Sequence, residues 1–222
     1  MRQKYDELPL FPVRTFTFIA PEDLLDDTLE KCKKLQYKEY NPPGGVGTSD
    51  DIHINDDFKG IIDWFQECMD TLHADEGWYT DRVAVCKAWV NRSDKESSDC
   101  HDAHRHPMSL MSGIFYLTNT PYAPTIFLDP IDKREWDAFS VDGTRDEFHR
   151  QYVTPKRGGL IIFPSWLIHA SMPNNSLDDR YTIAFNTFPM GDINKGGWDR
   201  PMVQIDNPLG PLDLGEYTIG QG

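Results

Sequence analysis

From residue 80 onward the chain is a series of short apolar runs separated by turn residues, at 83–90, 113–117, 125–128, 159–163, 166–171 and 180–188. Their lengths suit strands better than helices. With no helical pattern between them, they call for an antiparallel sandwich or barrel. Helical spacing appears only before that point. Pro21 stands at a first helical position, Glu22 and Asp23 suit the positive end of a helix dipole, and Leu24, Leu25, Leu29, Cys32 and Leu35 form an approximate stripe. A stronger stripe follows in Phe58, Ile61, Ile62, Phe65, Cys68, Met69 and Leu72, with Asn55, Asp56 and Asp57 offering cap oxygens. Between the two lies a Gly- and Pro-rich loop, 41–47. The expected organisation is one domain over 1–222: a helical part about 1–80, a β core about 81–190, and an extended C-terminal extension 191–222. Within the β part, the polar insert 132–157 is expected to be a loop, either covering a site or lying plain on the surface.

Composition removes several functions. Hydrophobic residues make up 39% and aromatic residues 12% of the 222, enough for a packed core. Lys and Arg total 22 against 36 Asp and Glu, a net charge of −14. Such a surface repels polyanions, so neither a nucleic acid nor an anionic membrane is expected as a partner. The most apolar stretch, 160–168, is short and broken by Pro164, so no membrane span is expected. The N-terminus lacks the apolar run of a signal peptide, and the four cysteines form no C-x-x-C. Free thiols in a reducing cytoplasm are the simplest account, which gives cytoplasmic as the expected location. Nothing in the sequence indicates an oligomeric state.

Of seven histidines, three fall in His101-Asp102-Ala103-His104-Arg105-His106-Pro107. On a strand, residues two apart share a face, so His104 and His106 would project together, as two ligands of one metal must. Alone this is weak, since a solvated strand end has the same pattern. A second segment strengthens it: Gly158-Gly159-Leu160-Ile161-Ile162-Phe163-Pro164-Ser165-Trp166-Leu167-Ile168-His169 ends an apolar run in a histidine, and Arg180 follows eleven residues later. On a strand, Arg180, Thr182, Ala184 and Asn186 share one face and Tyr181, Ile183 and Phe185 the other. A face of Arg, Thr and Asn backed by an apolar face suits a small polar cavity with a clamp for a carboxylate. A solvent-facing edge strand would also fit.

The order His-x-His, Ser-Gly-Ile-Phe-Tyr-Leu, Gly-Gly-Leu-Ile-Ile-Phe-Pro-Ser-Trp-Leu-Ile-His, then Arg-x-Thr resembles the 2-oxoglutarate and Fe(II)-dependent oxygenase superfamily, closest to its small bacterial and phage members. The resemblance is clear over about 83–190 and looser over Leu10-Phe11-Pro12-Val13 and the two helices. It implies a mainly β fold, a double-stranded β-helix (jelly roll, cupin-like) with N-terminal helices packed on it. It implies Fe(II) and 2-oxoglutarate as cofactors, oxidative decarboxylation to succinate, and hydroxylation of a small-molecule or peptide substrate. The family's first ligand pair falls on His104 and His106, its distal histidine on His169, and its 2-oxoglutarate arginine on Arg180, with Thr182 at the Arg-x-Ser position. Tyr116 matches a tyrosine that often helps bind the cofactor, and Asn186 is placed in the same pocket.

One departure matters. Members of the family usually carry His-x-Asp, and His106 stands where the carboxylate is expected. Three sets remain open: His104, His106 and His169, which we prefer; Asp102 with His104; or Asp129 reaching in from a neighbouring strand. Three histidines also suit zinc with an open water position, so a cupin-like metal-dependent isomerase or hydrolase is the alternative, and a non-catalytic β-sandwich binding module the bland one. No Gly-x-Ser-x-Gly elbow is present, Cys100 lacks a distinctive nucleophile context, and the loop at Pro43–Gly47 lacks the Lys-Ser/Thr of a P-loop.

Overall fold

A computed structural model describes residues 12–39, 46–95, 98, 100–130, 150–195 and 201–205. The described residues form α1 (Leu25–Lys33), α2 (Lys59–Glu76) and the strands β1 (Phe16–Ile19), β2 (Lys38–Glu39), β3 (Gly47–Thr48), β4 (Arg82–Ser93), β5 (Met111–Tyr116), β6 (Thr125–Leu128), β7 (Arg150–Val153), β8 (Gly159–Pro164), β9 (His169–Ser171), β10 (Arg180–Ile193) and β11 (Val203–Ile205). Loop residues 41–45, most of the 132–157 insert with Trp136, and most of the extension with Trp198 lie outside the described residues, as do Leu10 and Phe11.

Both helices begin on a short 3-10 turn. Before α1, Pro21 is extended (ψ 139°) and sits just outside the turn Glu22–Leu24 rather than at the first helical position. Before α2, the Asn55 side chain accepts the Asp57 amide at 3.0 Å, as its cap position leads one to expect. Gly77, in the left-handed region at φ 63°, ends α2.

The strands make two antiparallel sheets. The larger has eight strands, ordered β1-β8-β5-β10-β4-β3-β2 with β11 beside β10; the smaller is β7-β6-β9. Alternation gives the large sheet two different faces. One carries Val83, Val85, Phe115, Ile183 and Phe185, and packs under α1 and α2 in the main core. There Phe65 of α2 stacks on Phe185, with ring centroids 4.8 Å apart. Gly113 stands opposite Phe185 across the β5–β10 ladder, and any Cβ there would overlap the Phe185 ring. The other face carries Tyr116, Ile161 and Phe163, which meet Phe127 of the small sheet in a second core. Two facing sheets with helices behind one of them are the mainly β jelly-roll architecture expected.

Several details differ from sequence expectation. The 180–188 run extends to Ile193, so residues 191–193 continue β10 instead of starting the extension. The 166–171 run is a strand only from His169, because Leu167 N–H turns back to the Pro164 carbonyl at 2.9 Å. His104 and His106 do not lie on a full strand. Their segment runs beside β9 and forms one bridge, His104 to His169, before Pro107 and left-handed Met108 (φ 61°) turn the chain away. β7 lies in the segment expected to be a loop, and Gly47 at the end of the Gly-rich loop belongs to β3.

Candidate metal and cofactor site

A cavity of about 490 Å³ opens between the two sheets. β10 contributes Arg180, Thr182, Ala184 and Asn186, the four residues its alternation assigns to one face. β4 supplies the neighbouring wall through a β-bulge. Lys87 pairs with Asn186 but Val85 pairs with Thr187, so Cys86 is extra. The bulge switches parity: Val83 and Val85 face the helices, and so do Ala88 and Val90. Lys87, Trp89 and Asn91 therefore face the cavity.

The backbone holds the histidines together. His104 and His169 exchange both N–H···O=C bonds, at 2.9 and 3.0 Å, and the His106 N–H donates to the Ser165 carbonyl at 2.9 Å. One ring nitrogen from each of His104, His106 and His169 lies within 4.8 Å of the others, a group able to hold a metal ion. In each ring Nδ1 meets an oxygen: the Asp102 carbonyl for His104 (2.7 Å), the Leu167 carbonyl for His169 (3.0 Å), and Asn186 Oδ1 for His106 (2.5 Å). Carbonyl oxygens only accept, so Nδ1 must donate, and each neutral ring keeps its lone pair on Nε2. Burial favours the neutral form, holding His106 below its ordinary pKa and His169 down to about 3. The donor chemistry fits a divalent transition ion.

Arg180 lies beyond the histidines and is only 7% exposed. Its nearest recorded acceptor is the Met172 carbonyl, at 3.5 Å, and no carboxylate pairs with it among the described residues. Burial lowers its pKa, opposed by the nearby Tyr116. Thr182 is also buried and lines the cavity. Tyr116 does not line it: the hydroxyl bonds Thr125 Oγ1 at 2.8 Å, and Thr125 lines the cavity in its place. Asn186 lines the cavity and also holds His106. Neither Asp102 nor Asp129 lines the cavity or joins the histidine group; Asp102 contributes only its backbone carbonyl to His104.

Lining residues that sequence reasoning did not assign to the site include Trp89, Asn91, Thr125 and His101, whose pKa burial lowers to about 4. For Trp89 and Asn91 the signal was the alternation Lys87-Trp89-Asn91, hidden by the bulge that sets its face. His101 was visible in the histidine cluster but not separable from it by spacing.

Residues 87–186 match the family described as "Putative 2OG-Fe(II) oxygenase". Over that stretch the chain is similar to the 2-oxoglutarate/Fe(II)-dependent oxygenases, in agreement with the resemblance of its motifs. The matched segment runs from within β4 to within β10 and contains all three histidines and Arg180. Solved structures share its fold at low identity. The non-heme alpha ketoglutarate dependent epimerase SnoN from nogalamycin biosynthesis is 11% identical, with TM-score 0.62, covering 82% of this chain and 81% of that one. HygX from Streptomyces hygroscopicus, solved with nickel and 2-oxoglutarate bound, is 12% identical, with TM-score 0.57 over 80% and 83%. A Pseudomonas putida prolyl-4-hydroxylase is 12% identical, with TM-score 0.58 over 81% and 94%. No curated protein matches the sequence. Among the described residues, no helix is long and apolar enough to cross a membrane.

Proposed function

We propose that the chain, as one domain over 1–222, is an Fe(II)- and 2-oxoglutarate-dependent dioxygenase that hydroxylates a small-molecule or peptide substrate. The observation that carries this is Arg180. A guanidinium buried with no carboxylate partner is costly unless an anion completes it. Here it shares one cavity with three converging imidazoles.

In this reading His104, His106 and His169 hold the iron through Nε2. Arg180 pairs with the far carboxylate of 2-oxoglutarate, and Thr182 offers it a hydroxyl. Tyr116 acts from behind by fixing Thr125, and Asn186 holds the His106 ring. When bound, the metal and 2-oxoglutarate supply the oxidising chemistry, with decarboxylation of 2-oxoglutarate to succinate. The chain's part is to hold these groups in register between two sheets and to limit water at their inner end. Replacing the usual carboxylate with His106 leaves the ligand set uncharged, which favours a dianionic cofactor.

The test is anaerobic titration of metal-stripped protein with Fe(II) and then 2-oxoglutarate, following the visible charge-transfer band of the chelate. We expect the band in the wild type. Arg180→Ala should retain its metal and bind 2-oxoglutarate roughly 30-fold or more weakly, as expected when a partner of a buried ion pair is removed. Metal binding without a band in the wild type overturns the assignment and points to a three-histidine enzyme independent of 2-oxoglutarate.

A further inference from the structure

We propose that Lys87 and Arg105, at the mouth of this cavity, select a substrate carrying an anionic group, with the ring of Trp89 under its organic part. The inference deepens the oxygenase reading and rests on it for the identity of the inner ligand.

The two cations stand out against a net charge of −14. Both are exposed, both line the cavity, and neither has an ion pair among the described residues. Two acidic side chains share the same rim. Asp50 pairs with Lys38 at 2.5 Å. Asp51 Oδ1 accepts the backbone N–H of His53 at 2.9 Å and of Ala88 at 3.2 Å. Asp51 keeps its charge, so with Asp50 offset by Lys38 the two cations Lys87 and Arg105 outweigh one carboxylate and the entrance is net positive.

Position separates this charge from Arg180. Along β4 and β10, Ser93 faces Arg180, Asn91 faces Thr182, Trp89 faces Ala184 and Lys87 faces Asn186. Six residues of strand put Lys87 about 20 Å along the sheet from the Arg180 position. A five-carbon dicarboxylate held on Arg180 does not extend that far, so the outer cations serve a different anion. Trp89 lies between the two ends, with its ring centroid 5.6 Å from that of His106. A molecule anchored by its anion at Lys87 and Arg105 would thus lay its carbon skeleton on Trp89, beside the histidine group.

The test uses full-length protein loaded with Fe(II) and saturating 2-oxoglutarate under nitrogen. Three probes of one shape are titrated by calorimetry: 3-phenylpropionate, 3-phenylpropanamide and 3-phenylpropylamine. The carboxylate should bind about ten-fold more tightly than the amide, the scale of two exposed charge contacts, and the amine most weakly. Lys87→Ala with Arg105→Ala should abolish that preference while leaving amide affinity unchanged, and Lys87→Glu with Arg105→Glu should reverse it. Equal binding of the three probes, no measurable binding of any, or a carboxylate preference that survives the double alanine variant overturns the proposal. The chelate band of the same samples reports separately on the cofactor reading. A normal band with no charge preference sinks only the rim assignment, whereas a missing band with the preference intact sinks only the cofactor assignment.

Discussion

Asn186 is placed to support the candidate metal site without being a ligand. Its Oδ1 accepts from His106 Nδ1 and from Ser112 Oγ (2.9 Å), and Ser112 Oγ continues to Ser165 Oγ (2.8 Å) and on to Ser109 Oγ (2.7 Å). Asn186→Ala removes the acceptor that fixes the tautomer and orientation of His106. We expect a 10–100-fold loss in metal affinity, the usual cost of losing such a partner. Titration with Ni(II) measures it, and an unchanged affinity would show that His106 needs no orienting group. At this scale the sequence exposed residues whose chemistry is rare: His104, His106, His169 and Arg180 all stand in or beside one cavity. Two roles were hidden. Asn186 could be placed on the right face by alternation, but its bond to a histidine 80 positions away depends on the fold. Tyr116 meets the cavity wall only through its bond to Thr125, and no spacing signals a hydroxyl-to-hydroxyl contact across two sheets.

The elements depend on close fit at a few crossings. Gly113 lets the Phe185 ring lie over β5, where Phe65 of α2 then stacks on it. Gly113→Ala forces either the ring or the strand aside, and overpacking of this kind costs about 1–3 kcal/mol. For a chain of this size each kcal/mol lowers Tm by roughly 2–4 °C, so a melting curve decides the matter. Phe65→Ala removes the other side of the same contact and should cost about 3–5 kcal/mol. Helices and central strands were legible because burial leaves a period: α2 buries Ile61, Ile62, Phe65, Cys68, Met69 and Leu72, all members of the stripe expected. β7 was not, because three of the four residues in Arg-Gln-Tyr-Val are exposed and no face is apolar. The β4 bulge was invisible for another reason. An inserted residue changes which side chains face inward without changing composition, and only the pairing with β10 reveals it.

For the whole molecule, two electrostatic effects act in opposite directions on acidification. The pI is near 4.8, so lowering the pH from neutrality removes net negative charge and self-repulsion, which by itself would stabilise the fold. The buried histidines oppose this. His169, 4% exposed, has its pKa lowered to about 3 and His101 to about 4, in each case mainly by burial. The unfolded chain holds these groups near their ordinary value, about 6.5, so it binds more protons than the folded chain at pH values between the two. Their contribution is present above pH 6.5 and is lost as the pH falls toward 3. His169 alone gives a slope of about 1.4 kcal/mol per pH unit inside that window. The relief of repulsion is spread over exposed carboxylates that titrate mainly below pH 5 and are screened by salt. Between pH 6.5 and 5 the histidines should therefore win, and metal-free protein in 0.15 M salt should melt progressively lower. A divalent ion at 100 times its Kd should add about 2.7 kcal/mol at pH 7.5, raising Tm by roughly 5–11 °C. That gain should persist toward pH 5, because burial keeps the His169 ring neutral in the folded chain over this range and leaves its Nε2 open to the metal. Thermal melts from pH 8 to 5, with and without Ni(II), check both slopes. A metal-free Tm that rises on acidification would mean that surface charge, and not the neutral histidine group, governs the acid stability of this fold.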